Sequence, residues 1–256
     1  MDQPINAPEA EPGSYSTAVF WRFTDVVWIT LGAVAILLLG VLALRLGLKQ
    51  LPGGIGLSQQ PNIWVSAAMG ALEAIALIGS VYYLGVRRKS TGWQAVGLRP
   101  APSPWIWIAV GISILVIPLA GLIAAAIQLA LGQPVQNPQL PFIAPQGFSW
   151  FGMLSMFLLG GILAPIGEEL FFRGVIYQWL KRGIGVWPGI LVSSLIFGAA
   201  HGDLAVGGAA AVLGMVLAGV FEASGSLWPS ITIHILNNSV KILLLYALLA
   251  FGVNLG

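Results

Sequence analysis

GGILAPIGEELFFRGVIYQWLKR, residues 160–182, carries two adjacent glutamates and an arginine at the end of a long apolar run. Charge is scarce elsewhere, so their placement decides how the whole chain is read. An ionisable side chain inside a bilayer costs about 2.5 kcal/mol or more, and it marks a functional position with a partner. On a helix, Glu169 and Arg173 stand four residues apart on one face, in the favourable order for an ion pair. Glu168 is rotated by about 100° from its neighbour and lacks a cation on its own helix. One carboxylate is therefore expected to be structural, and the other free to act on whatever packs alongside.

Working outward, the apolar run belongs to a chain made for a membrane. Of 256 residues, 57% are hydrophobic and 8% charged, and the mean hydropathy is +0.90, outside the range of soluble domains. We expect an all-α polytopic integral membrane helix bundle of about seven spans, within a range of six to eight. Runs able to cross about 30 Å of hydrocarbon cover 26–46, 62–86 and 105–131. A fourth opens at Trp150 and continues past the glutamates to about Leu180, roughly 45 Å of helix. It should tilt, project into the interface, or kink at Pro165, which follows Gly160 and Gly161. Shorter runs cover 187–201, 205–222 and 229–251.

The chain divides into a polar, acidic tail (1–20) expected to be disordered, N-terminal membrane helices (21–148) and a motif-bearing part (149–256). The tail lacks the basic start of a cleavable signal peptide. The net charge of +2 arises from Lys and Arg in connecting segments, which suits membrane loops and offers no nucleic-acid surface. Arg87, Arg88, Lys89 and Arg99 fall in one loop and Lys181 and Arg182 in another, two spans later, so both are expected on the cytoplasmic side. That orientation puts the N-terminus inside. With no cysteine, disulfides, thiolate nucleophiles and Cys-based metal sites are excluded.

The two histidines both lie in the C-terminal half. Phe197 precedes His201 by one turn and Asn238 follows His234 by one turn, each pair sharing a helix face. By rise per residue, Glu168 and His201 each lie about 20 Å from one membrane surface, whereas His234 lies about 9 Å and Asn238 about 15 Å from it. Tilt or a shifted boundary must close that gap. Glu73 is expected to be a buried packing or pairing residue, and Lys241 to snorkel or pair with an acid such as Glu73. Asp203 is left without a role. The tryptophans near span ends, Trp64, Trp105, Trp107, Trp150 and Trp187, are expected interfacial anchors.

Taken in order, Glu168-Glu169-x-x-x-Arg173, Phe197-x-x-x-His201 and His234-x-x-x-Asn238 resemble the CAAX protease and bacteriocin-processing family, which includes type II CAAX prenyl endopeptidases and Abi-type prokaryotic proteins. The resemblance covers the last hundred or so residues. It implies an intramembrane glutamate-type endopeptidase in which Glu168 and His201 activate a water, His234 and Asn238 stabilise the oxyanion, and Glu169, Arg173 and Phe197 support the site. It implies no metal or other cofactor, a peptide or protein substrate that is lipidated in the eukaryotic branch, and residence in the plasma (inner) membrane of a prokaryote. Three alternatives stay open: a zinc-dependent protease using the same residues, although H-E-x-x-H is absent; a non-catalytic scaffold or immunity protein; and a transporter, for which repeated halves are missing. An aspartyl dyad is disfavoured because Asp203 is the one aspartate after Asp25, and "EASG" at 222–225 lacks the Gly-x-Ser context of a serine protease.

Overall fold

The computed structural model describes residues 21–49 and 62–253, and the acidic stretch read as a tail lies outside the described residues. All regular structure among them is helical. Six helices are long and apolar enough to cross a membrane: α1 (Phe23–Lys49), α2 (Ile63–Arg87), α3 (Pro104–Ala130), α4 (Trp150–Ile184), α6 (Leu204–Ser224) and α7 (Leu227–Ala250). Between α4 and α6 lies α5 (Val186–Ala199), 14 residues long. At about 21 Å it is too short to cross the hydrocarbon alone. The run expected over 187–201 thus ends at Ala199, and His201 falls in the turn where the chain reverses direction.

Helices in lipid gain little from hydrophobic association and rely on close backbone approach through small residues. The α5·α6 contact illustrates this. A Cβ on Gly198 would lie 2.4 Å from the Gly207 carbonyl oxygen, and one on Gly214 would lie 3.0 Å from both the Ser194 side chain and Arg173 Nη2. These glycines bring α6 against α5 and the Arg173 guanidinium at once. The main core gathers Leu170, Phe171, Phe172 and Val175 of α4 with Phe197 of α5 and Ala218 and Phe221 of α6. The outer faces stay apolar and exposed, as a lipid-facing surface requires, and Trp64, Trp107, Trp150 and Trp187 sit at helix ends with exposed rings.

Helix α4 is not regular. It passes through π-helical turns at Phe157–Leu163 and Glu169–Tyr177, on either side of a short α-helical stretch. Pro165 has no N–H, so one carbonyl a turn earlier loses its helical partner. Helix α7 supplies side-chain donors at this turn: Asn238 Nδ2 donates to Gly160 O at 3.2 Å, and Ser239 Oγ donates to Gly161 O at 3.0 Å. Gly161 makes this approach possible, since a Cβ there would meet Ser239 Oγ at 2.8 Å. The second π-turn exposes the Gly174 carbonyl, which accepts from Trp21 Nε1 at 2.7 Å and Gln178 Nε2 at 2.6 Å. The expected break at Pro165 is therefore an opening of the helix ladder that neighbouring side chains close.

Candidate active site

Helix α4 carries Glu168 and Glu169 at the junction where α-helical geometry changes to π. Glu169 is fully buried, and both its oxygens are engaged. Oε1 accepts from Arg173 Nη1 at 2.7 Å and from His234 Nδ1 at 2.9 Å, while Oε2 accepts from Ser230 Oγ at 2.7 Å. A carboxylate with three donors is the arrangement that allows a charge to remain in a low-dielectric interior. The i, i+4 ion pair expected from spacing is present, and its acid also holds the histidine of another helix.

Because Glu169 only accepts, the hydrogen on His234 lies on Nδ1. Its Nε2 then points to Glu168, whose Oε2 is 3.4 Å away. That Glu168 oxygen is buried and has no hydrogen-bond partner in the protein. An unpartnered buried carboxylate oxygen beside an imidazole is a costly feature, and such a group is poised for a water or a substrate. The carboxyl of Glu73, from α2, lies within hydrogen-bonding reach of Glu168. Helix α2 is held there by Leu77, one turn on, whose Cβ would stand 3.2 Å from a Cβ on Gly167. Glu73 is thus a pairing residue, one of the two roles expected of it, with Glu168 as its partner. The rule that an intramembrane acid has a polar partner could have found it, but Glu168 as that partner depends on how α2 packs on α4.

Phe197 connects the two histidines. Its ring lies beneath the Arg173 guanidinium at 4.4 Å and meets His201 at 4.9 Å and His234 at 5.7 Å, both edge-on. His201 lies in the turn after α5 rather than on the helix, and its Nδ1 is 2.9 Å from the Phe197 carbonyl oxygen. A carbonyl cannot donate, so Nδ1 carries the hydrogen and the neutral ring presents a basic Nε2. The C-terminal carbonyl of α5 that would otherwise be orphaned is what sets this tautomer.

Asn238 lies one turn beyond His234. One amide hydrogen goes to Gly160 O, and its Oδ1 accepts from Asn237 Nδ2 at 2.9 Å, leaving a second N–H. The residue fastens α7 to α4. Asp203 is a helix cap: its Oδ1 accepts from the Ala205 and Val206 amides, each at 2.9 Å. Lys241 is exposed and makes no ion pair among the described residues. Of the two roles expected for Lys241, snorkelling or pairing with an acid such as Glu73, the Glu73 pair is not formed, because Glu73 faces α4. Among the described residues, no three His, Asp or Glu side chains are grouped so as to hold a metal ion.

Residues 148–240 match the family model described as type II CAAX prenyl endopeptidase Rce1-like. That segment contains all three motifs and supports the resemblance to the CAAX protease and bacteriocin-processing family. A Bacillus subtilis (strain 168) protein whose name is "Putative membrane peptidase YdiL" is 28% identical over 89 residues, which span 35% of this chain and 36% of that protein. The match thus spans about a third of that relative's length. No solved structure matches the chain significantly.

Proposed function

We propose that this integral membrane protein is a glutamate-type endopeptidase that hydrolyses a peptide bond at the bilayer, using Glu168, His201, His234 and Asn238. The family match over 148–240 and the similarity to a protein with a membrane-peptidase name support the peptidase reading. The observation that carries the mechanism is the buried Glu168 Oε2, without a protein hydrogen bond and 3.4 Å from His234 Nε2.

In this mechanism a water held by Glu168 loses a proton to that carboxylate as its oxygen attacks the peptide carbonyl. The Nε2 of His201, with Nδ1 tied to Phe197 O, accepts the water's other hydrogen as a hydrogen bond and orients its lone pair. The carbonyl oxygen becomes an oxyanion, which receives the second N–H of Asn238 and an N–H from His234 Nε2. For that donation His234 is the imidazolium, and the Glu169 carboxylate on Nδ1 balances its charge. Collapse breaks the C–N bond. The proton on Glu168 passes to the leaving amine, the new acid loses its proton, and Glu168 returns to its starting state. Glu169, Arg173 and Phe197 act by holding the two imidazoles in place.

The test is cleavage of a peptide library by the purified chain in lipid nanodiscs, read by mass spectrometry. Glu168→Gln removes the base while keeping the shape and is expected to lower product formation by about 10²–10⁴-fold. Retention of cleavage by Glu168→Gln or by His201→Ala would sink the mechanism. The scaffold reading predicts that Glu168→Gln is tolerated in cells.

A further inference from the structure

Glu73 is an acid that the proposed mechanism leaves unused, and it sits where an acid is costly. It lies near the middle of the 25-residue helix α2, about 15 Å from the first residue of that helix, too deep for a glutamate stem to carry its carboxyl to either surface. Gly70, Glu73 and Leu77 follow at i, i+3 and i+7 and share one helix face. Both outer members of that set touch α4: a Cβ on Gly70 would stand 3.3 Å from Leu159 Cβ, and one on Gly167 would stand 3.2 Å from Leu77 Cβ. Glu73 is thereby turned onto α4, where its carboxyl meets Glu168. The ionisable groups that act on Glu168 are Glu73 from α2, Glu169 and Arg173 from its own helix, and His234 from α7. Among the described residues, the ionisable group that acts on Glu73 is Glu168. Arg173 Nη1 and His234 Nδ1 are already committed to Glu169, so no cation is left for Glu73.

We infer that Glu73 and Glu168 share one proton, and that Glu73 thereby acts as a positioning residue for the Glu168 carboxylate. Two carboxylates in contact cannot both keep a negative charge in a low-dielectric interior. With one proton between them, they are joined by a charge-assisted hydrogen bond, which fixes the Glu168 carboxyl and leaves a single negative charge on the pair. When Glu168 takes the proton of the attacking water, the shared proton moves fully onto Glu73. The pair then holds two protons, and it returns to one when the leaving amine takes the other. The catalytic role rests on the peptidase reading, whereas the shared proton stands on the geometry alone.

Infrared spectroscopy of the full chain in lipid nanodiscs tests the proton. The chain has nine acidic residues, and solvated carboxyls are ionised at neutral pH, so a protonated-carboxyl stretch there reports a buried acid. We expect one such band in the wild type, lost in Glu73→Gln and kept in Glu222→Gln, whose carboxylate pairs with Lys181. No band in the wild type, a band that persists in Glu73→Gln, or one that is lost in Glu222→Gln would each overturn the proposal. Peptide cleavage reads the catalytic role. Glu73→Leu deprives the Glu168 anion of its donor and is expected to lower kcat about tenfold or more and to move the acidic limb of the pH–rate profile to higher pH. Glu73→Gln supplies an amide donor and is expected to recover part of the rate and to bring the limb back. An unchanged rate and limb in Glu73→Leu would overturn the positioning role, and equal losses in the two variants with no shift of the limb would reduce Glu73 to a packing residue. If the wild type cleaves no peptide, the peptidase reading fails, and the infrared band still decides whether the proton is shared.

Discussion

Glu168 and Glu169 are the same residue type at adjacent positions, and their surroundings give them opposite tasks. Glu169 is surrounded by donors from three side chains, Arg173, Ser230 and His234. Glu168 meets a carboxyl from α2 and an imidazole nitrogen, with one oxygen unpartnered. Removing Glu169 leaves Arg173 buried without its anion, and breaking a buried pair on one side costs about 3–5 kcal/mol. Glu169→Ala is therefore expected to unfold at lower denaturant concentration by roughly that amount, while Glu168→Gln, which keeps size and leaves the Glu169–Arg173 pair intact, should change stability much less. Denaturation in mixed micelles, followed by tryptophan fluorescence, separates the two. Equal destabilisation would show that Glu168 also serves mainly to hold the bundle.

At the scale of elements, the defect in α4 explains why α7 carries polar side chains at this depth. Pro165 removes one donor from the ladder, and Ser239 and Asn238 bond the Gly161 and Gly160 carbonyls of the turn before it. A double-mutant cycle tests that coupling. Ser239→Ala alone is expected to cost about 0.5–1.5 kcal/mol. In a Pro165→Ala background, where an amide is restored to the helix, the same change should cost much less, giving a non-additive term of the same order. Additive effects would mean that Ser239 bonds a carbonyl the proline did not free. The same geometry gives Asn238 two roles, helix fastening through one N–H and a candidate oxyanion contact through the other. Asn238→Ala should therefore affect stability as well as turnover.

At the scale of the molecule, alternate helices bring Arg22, Arg88, Lys89, Arg99, Lys181 and Arg182 to one surface, and the α3–α4 connection to the other. The inside-positive bias then predicts that the basic surface is cytoplasmic. A chain without cysteine allows a clean check. Ser90→Cys should resist a membrane-impermeant thiol reagent added to intact cells, and Gln133→Cys, at an exposed position after α3, should react with it. The reverse pattern would invert the assignment and place the basic surface outside.

The sequence by itself determined the membrane class, the helical content, most span boundaries, the Glu169–Arg173 pairing and the motif set that the family match later covered. These follow from hydropathy and i, i+4 spacing, which are local properties that a linear reading captures. Only the tertiary structure decided that His201 stands in a turn fixed by the Phe197 carbonyl, that Glu73 meets Glu168 rather than Lys241, that Asn238 and Ser239 bond the carbonyls of the turn before Pro165, and that Arg22, Arg88 and Arg182 surround one notch. Each of those contacts joins residues on different helices or depends on where a helix stops. In a bilayer, the choice between such contacts rests on close packing at small residues and on satisfying orphaned polar groups, which are properties of the assembled bundle.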